Sequence, residues 1–452
     1  MFNEYKDLCE AMIRFSKDGP LTLSKADRNM IQPSQAHTFS YRSILRHIIF
    51  VFLLFIPFQR IIFSYLKLPQ VFNWSDEIFI TVIVISGLFY IKEINKLAFQ
   101  FLSALAIFGV ICSITGLMNG NPIFVTLLGV FDYLKNFLVI PFIGIFISKK
   151  EHLFSLYRLL HALALFFCIV AVIQFFCHLA GVPLSLLGEV YSLRRLGFLR
   201  VSSLLGHPNI FGFYTLLFFI IDINLYRRLR WQNVLFSLGI FLCTSRMVWA
   251  AYAASLVLYL LPGKIRWTKL KPAISVGIIV SIVVLYIVMT STGYAHEYRV
   301  YTFIKGLKIF GEHPVWGVGP GMYGGIISLM FNSPLYETYA FSSYWYNQLQ
   351  AYRSLDQFWI QSLVELGLSG TLIFLFLLFL LHYLASQGSR RARNESFISR
   401  FNEALAYMPM VVGIYLLGCG LNHAAFLLTY TALLGMAIRT AEPRSFFQNH
   451  KN

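Results

Sequence analysis

The sequence predicts an all-α polytopic membrane protein with about twelve transmembrane helices, and three observations predict it. Hydrophobic residues make up 57% of the 452 and charged residues only 13%, against about 25% charged in a soluble domain. The mean hydropathy is +0.66. The apolar residues fall in blocks such as Ile44–Phe58, Ala273–Met289 and Leu372–Leu384. With their flanks, such blocks can cross about 30 Å of hydrocarbon.

Residues 1–42 are polar and basic, with Lys6, Arg14, Lys17, Lys25, Arg28 and Arg42. They are expected to form a cytoplasmic segment rather than a cleavable signal, with Tyr5–Phe15 able to lie on the membrane surface. The membrane domain is placed at 43–438 and a cytoplasmic tail at 439–452. By the length rule the spans lie near 43–65, 76–92, 98–115, 122–147, 154–181, 210–226, 232–243, 246–262, 273–291, 357–385, 404–420 and 421–438.

Basic residues set the orientation. Alternate gaps hold Lys92/Lys96, Lys149/Lys150, Arg227/Arg228/Arg230, Lys264/Arg266/Lys269/Lys271 and Arg390/Arg391/Arg393/Arg400. Positive charge concentrates on the cytoplasmic side, so both termini are expected inside. This placement also turns the net charge of +17 away from nucleic acid as a partner. Cys112, Cys168 and Cys243 lie in or beside apolar blocks and Cys9 in the basic leader, which suggests no disulfide framework. The sequence has no HExxH or CxxC pattern, so neither metal nor cofactor is expected.

On the opposite face two segments, 181–209 and 291–356, are too long to be plain turns, and long connections are usually functional. The second opens on a helical pattern, Arg299–Phe310. It breaks at His313-Pro314-Val315-Trp316-Gly317-Val318-Gly319-Pro320-Gly321, then runs through Tyr336, Tyr339, Phe341, Tyr344, Trp345, Tyr346 and Tyr352. Those aromatics could stack on sugar faces or anchor at the interface.

The anomaly on this face is basic charge: Arg194, Arg195 and Arg200, then Arg246, then Arg299. A single arginine there reads as headgroup contact. Several converging guanidinium groups would suit a diphosphate, because each can form a planar, bidentate pair with phosphate oxygens. Asp356 stands at the entry of the tenth span, where an acid can cap the helix or take a proton from a sugar hydroxyl. Asp76 and Glu77 read as capping. Asp132 and Lys135, three apart, read as a mutually neutralising pair. His207-Pro208-Asn209 and His313-Pro314 are first of all turns, with substrate contact by His207, Asn209, His313 and Gly319 a further expectation.

Four segments in this order resemble the O-antigen ligase and Wzy-type polysaccharide polymerase superfamily. They are Arg200 with Gly206-His207-Pro208-Asn209, Thr244-Ser245-Arg246, Arg299 with His313–Gly321, and Asp356-Gln357 followed by nine residues and Gly367-Leu368-Ser369-Gly370. The resemblance implies a GT-C-like, metal-independent glycosyltransferase with a large periplasmic loop in the bacterial inner membrane. Its substrate would be an undecaprenyl diphosphate-linked glycan, handled by Arg200, Arg299 and Asp356 as catalytic residues, with Arg195 and Arg246 in substrate binding. Membrane lipids are its other expected partners, and it leaves room for a chain-length regulator. Asp356 stands where ligases carry His, which favours the polymerase branch. A ligase acting on lipid A-core and a polysaccharide flippase are the alternatives; transporters often carry internal repeats, and none is visible in this sequence.

Overall fold

A computed structural model describes residues 41–66, 74–182, 194–195, 198–260, 298–352, 357–417, 419–421 and 424–441. It divides into two units, Met1–His47 and Ile48–Asn452; everything below concerns the second except the opening turns of the first helix. Apart from a two-stranded ribbon of Arg194–Arg195 with Phe198–Leu199, the described regular structure is helical. This is a multi-pass membrane protein: among the described residues, six helices are long and apolar enough to cross a membrane. The expected ninth span, 273–291, lies outside the described residues.

The first expected span, 43–65, is not one helix. It is α1 (Tyr41–Phe55), a 3-10 turn at Ile56–Phe58 and α2 (Gln59–Leu66). Pro57, at the start of that turn, has no N–H to offer a continuing α-helix. Next come α3 (Ser75–Leu88), α4 (Lys96–Met118), α5 (Ile123–Phe146) and α6 (Lys150–Leu179). The start of α4 is set by Asn95, whose side chain accepts the Ala98 N–H at 2.7 Å, a standard N-cap.

Beyond the ribbon β1 (Arg194–Arg195) and β2 (Phe198–Leu199) stand α7 (Pro208–Tyr226), α8 (Trp231–Leu242) and α9 (Arg246–Leu260). Every residue of α7 up to Leu225 is buried, which makes it a central helix. At 12 residues, α8 rises only about 18 Å. The remaining helices are α10 (Tyr298–Glu312), α11 (Ile326–Met330), α12 (Leu335–Thr338), α13 (Ser343–Tyr352), α14 (Phe358–Arg391), α15 (Ser396–Tyr415) and α16 (Ala424–Thr440). α14 packs along α15, and α16 lies against α5.

Ion pairs mark one end of the bundle. Lys150 meets Glu395 at 3.5 Å and Arg227 meets Glu403 at 3.8 Å, while Arg400 donates to the Leu225 carbonyl at 2.9 Å. Three of the basic gaps thus share an end. At the far end, the α4–α5 turn touches the loop after α10: Asn119 and Asn121 donate to the carbonyls of Gly317 and Val318 at 3.2 and 2.8 Å.

Asp132 and Lys135 pair as their spacing predicts, at 2.9 Å, but Glu77 also reaches Lys135, at 2.8 Å. Asp76 is buried and accepts from Gln59 at 3.4 Å. Asp76 and Glu77 do occupy the first turn of α3, yet its N-cap is Trp74 with no side-chain cap. Capping is therefore a minor part of their role, because a buried ammonium needs paired charge.

Candidate functional site

Two groups of residues assemble at the far end. The first is built around the start of α7. Leu205 and Gly206 (φ +70°) turn the chain into His207, the N-cap, whose ring nitrogen Nδ1 accepts the Asn209 N–H at 3.2 Å. Pro208 follows in the first turn, where its missing N–H costs nothing. Asn209 is buried and accepts from Arg200 Nη2 at 3.2 Å, while its amide nitrogen donates to Cys419 Sγ at 3.6 Å.

Arg200 is in turn fixed by its neighbours. The Val201 N–H donates to the Leu242 carbonyl at 3.2 Å, and Ser203 Oγ donates to the Phe167 carbonyl at 2.7 Å. Phe167 lies mid-way along α6, whose last residue, Leu179, stands about 18 Å further on. The 200–207 segment is therefore recessed beside α6 rather than raised above the bundle.

The Val201–Leu242 bond also brings Arg200 to the α8–α9 turn. There Thr244 takes a left-handed φ of +45°, Thr244 and Ser245 are buried, and Arg246 is exposed as the first residue of α9. The hydroxyl of Thr244 is buried and finds no hydrogen-bond partner among the described residues. A Cβ on Gly212 would lie 2.7 Å from Val248 and 2.8 Å from Cys243, so only glycine lets α7 approach this turn so closely. Two helices thus begin beside two arginines, and helix N-termini add partial positive charge. The arrangement suits a polyanion.

The second group couples the glycine-rich loop to α14. That helix is interrupted at Gly367 (φ 64°, ψ −169°), and the loop satisfies the backbone groups this frees. Val318 and Gly319 donate to the carbonyls of Val364 and Glu365 at 2.9 and 2.8 Å, and Leu368 and Ser369 donate to those of Pro314 and Val315 at 2.8 and 3.1 Å. Non-helical backbone at membrane depth persists only where protein groups satisfy it. Gly317 (φ +71°) and Gly367 face each other so closely that a Cβ on either would overlap the other's backbone.

Glu365 locks this junction. Fully buried, it accepts from Tyr133 Oη at 2.8 Å, the Tyr323 N–H at 2.7 Å and Gln361 Nε2 at 3.3 Å.

The structure corrects two expectations here. Gly319 is not open to substrate: it is buried, its N–H is committed to Glu365, and a Cβ would strike Asn121 and Gly116. Its role is close packing against the α4–α5 turn. Nor are Tyr336, Tyr339 and Phe341 a platform for sugars, because they build the core of the loop itself. Tyr336 accepts the Gly324 N–H at 2.9 Å and packs on Phe341 and Tyr346. Tyr339 donates to Glu312 at 2.5 Å; burial first, then that carboxylate, push its phenol up to about 12.

Of the remaining site residues, Arg195 lies on the ribbon, paired with Phe198. Arg299 is the second residue of α10. His313 is exposed just beyond that helix. Asp356 lies outside the described residues; Gln357, next to it, is buried at the start of α14. The end of α15 and its connection to α16 border both groups, since Trp359 donates to Gly413 at 3.1 Å while Asn209 reaches Cys419. Glu365 escapes a reading of motifs, although an acid inside an apolar run two residues before a glycine is a usable signal.

The fold defines a multi-pass helical membrane protein in which Arg200 and Arg246 stand beside the starts of two helices at one end. Residues 233–375 match the family model described as O-antigen ligase. That match supports the O-antigen ligase and Wzy superfamily, as the motifs imply, and members of the family are glycosyltransferase-like enzymes acting on glycans. The matched stretch includes Arg246, Arg299, the glycine-rich loop and Gly367–Gly370, while Arg200, His207 and Asn209 precede it. No curated protein matches the chain.

Proposed function

We propose that this protein joins undecaprenyl diphosphate-linked oligosaccharides into a surface polysaccharide, working at the periplasmic face of the bacterial inner membrane. The observation that carries this reading is the pairing of Arg200 with the Arg246 turn beside the first turns of α7 and α9, at the end opposite the basic gaps. Arg200, Arg246 and Arg299 hold the donor diphosphate. The acceptor hydroxyl attacks the anomeric carbon, the bond from that carbon to the phosphate oxygen breaks, and the lipid diphosphate leaves against the guanidinium charge. Asp356 takes the hydroxyl proton. This chemistry needs no metal, since the arginines supply the positive charge. A ligase transferring glycan to lipid A-core is the second reading, favoured by the description of the matched family.

Asp356 tests the reaction. Asp356→Asn keeps the shape but cannot take a proton, and it should abolish chain extension at normal protein abundance. Asp356→His, able to act as a base near neutral pH, should retain part of it. Asparagine is a good helix cap, so near wild-type extension by Asp356→Asn would assign Asp356 to capping and remove the base from the mechanism.

A further inference from the structure

Besides Ile304 and Leu307 on α10, the 298–352 segment exposes two apolar patches, at 315–316 and around 330–331, that its own core does not use. On α11, Ile327 packs inward and Ser328 is buried, whereas Ile326, Met330 and the following Phe331 face outward. The Phe331 ring meets Phe124 edge-on, with centroids 5.8 Å apart and an 82° angle between planes. Phe124 is itself exposed, with Ile123 and Leu127, on the first turns of α5. That apolar surface continues across the turn onto α4 through Met118, Ile114, Val110 and Ile107, spaced for one helix face.

The second patch is Val315–Trp316, both exposed. The carbonyls of Pro314 and Val315 accept from Leu368 and Ser369, which fixes this turn at the point where α14 resumes below Gly367. From there Leu368, Leu372, Phe376, Phe379 and Tyr383 form one exposed face of α14. Each patch thus prolongs the outward stripe of a helix long and apolar enough to span a membrane. In water such surface would cost about 25 cal/mol per Å², and soluble proteins rarely expose patches beyond a few hundred Å². Trp is also suited to the membrane interface.

We propose that Val315–Trp316 and Met330–Phe331 insert into the bilayer leaflet at the far end, so that lipid holds the glycine-rich loop and its partner Glu365 at a fixed depth. The occupant is acyl chain and headgroup boundary. A second copy of the chain would have to cover stripes on α4, α5 and α14 together, whereas one leaflet covers them all. This inference rests on the membrane architecture and not on the glycan chemistry.

The full chain in lipid nanodiscs, spin-labelled singly at Met330→Cys, Trp316→Cys or Glu337→Cys, tests it. Labelling of the unsubstituted protein gives the background from the native cysteines. Oxygen should reach the labels at 330 and 316 severalfold better than a nickel chelate does, and the order should reverse at 337, an exposed charged position on α12 that belongs to neither patch. Preference for the chelate at 330 and 316 would overturn the proposal. So would exclusion of both reagents, which marks a protein-covered surface. Should a cysteine variant fail to fold, insertion is read instead from quenching by acyl-brominated lipid, as the difference between native protein and Trp316→Phe. Strong quenching of the Trp316 component is expected, and none would overturn the insertion.

Discussion

Alanine at Arg200, Arg246 or Arg299 should each cut glycan extension by about 10²–10³-fold, the cost of removing one group that stabilises a developing anion in a water-poor site. Lysine at the same positions should recover little, since a point charge cannot reproduce the planar two-bond contact of a guanidinium with phosphate. The physical reason is clearest at Arg200. Its side chain is held by Asn209 at 3.2 Å and its backbone neighbour by Leu242 at 3.2 Å, so its position is set before any substrate arrives. Arg194→Ala is the comparison and should be far milder. The measurement is chain extension by purified protein from lipid-linked repeat units, normalised to folded protein. If all three alanine variants extend glycan at the normal rate, the diphosphate clamp is wrong.

Glu365→Ala should destabilise the protein by about 3–5 kcal/mol, through lost acceptors rather than lost charge. Tyr133, Tyr323 and Gln361 would all be left donating into a buried space, and each unsatisfied buried donor costs about 1–3 kcal/mol, not additively. Glu365→Gln keeps one acceptor oxygen but turns an amide N–H₂ toward donors, so it should fall between wild type and alanine. Because Gly319 bonds to the backbone of Glu365 and Tyr323 to its side chain, the loss should loosen the glycine-rich loop first. Thermal unfolding of the purified variants, with the exposed Glu337→Ala alongside, reads this directly. An unchanged midpoint for Glu365→Ala would show that the carboxylate is not what fastens the loop to α14.

The sequence carries the helical membrane class because apolar block length is a local property. It also carries the turn at the head of α7, which His207-Pro208 announces, but not that Asn209 would accept from Arg200. The break at Gly367 is different. Its freed carbonyls are answered by Val318 and Gly319, more than forty residues earlier, and nothing local tells a helix-breaking glycine from a packing one. The split of the first span at Pro57 is locally visible, yet the apolar run around it reads as continuous. Tyr336 and Tyr339 look like sugar platforms because their burial depends on how the loop closes on Tyr323 and Glu312. Asp76 and Glu77 look like caps because Lys135 lies on another helix.

The most direct measurement of the central proposal is the state of the lipid carrier in cells lacking this protein. A polymerase lengthens the glycan on its carrier before any transfer elsewhere. Deletion should therefore leave single repeat units, on undecaprenyl diphosphate or passed to lipid A-core by a separate ligase, and restoring the wild-type chain should return long glycan. Long glycan accumulating on undecaprenyl diphosphate beside bare lipid A-core would contradict the polymerase reading and assign the protein to ligation.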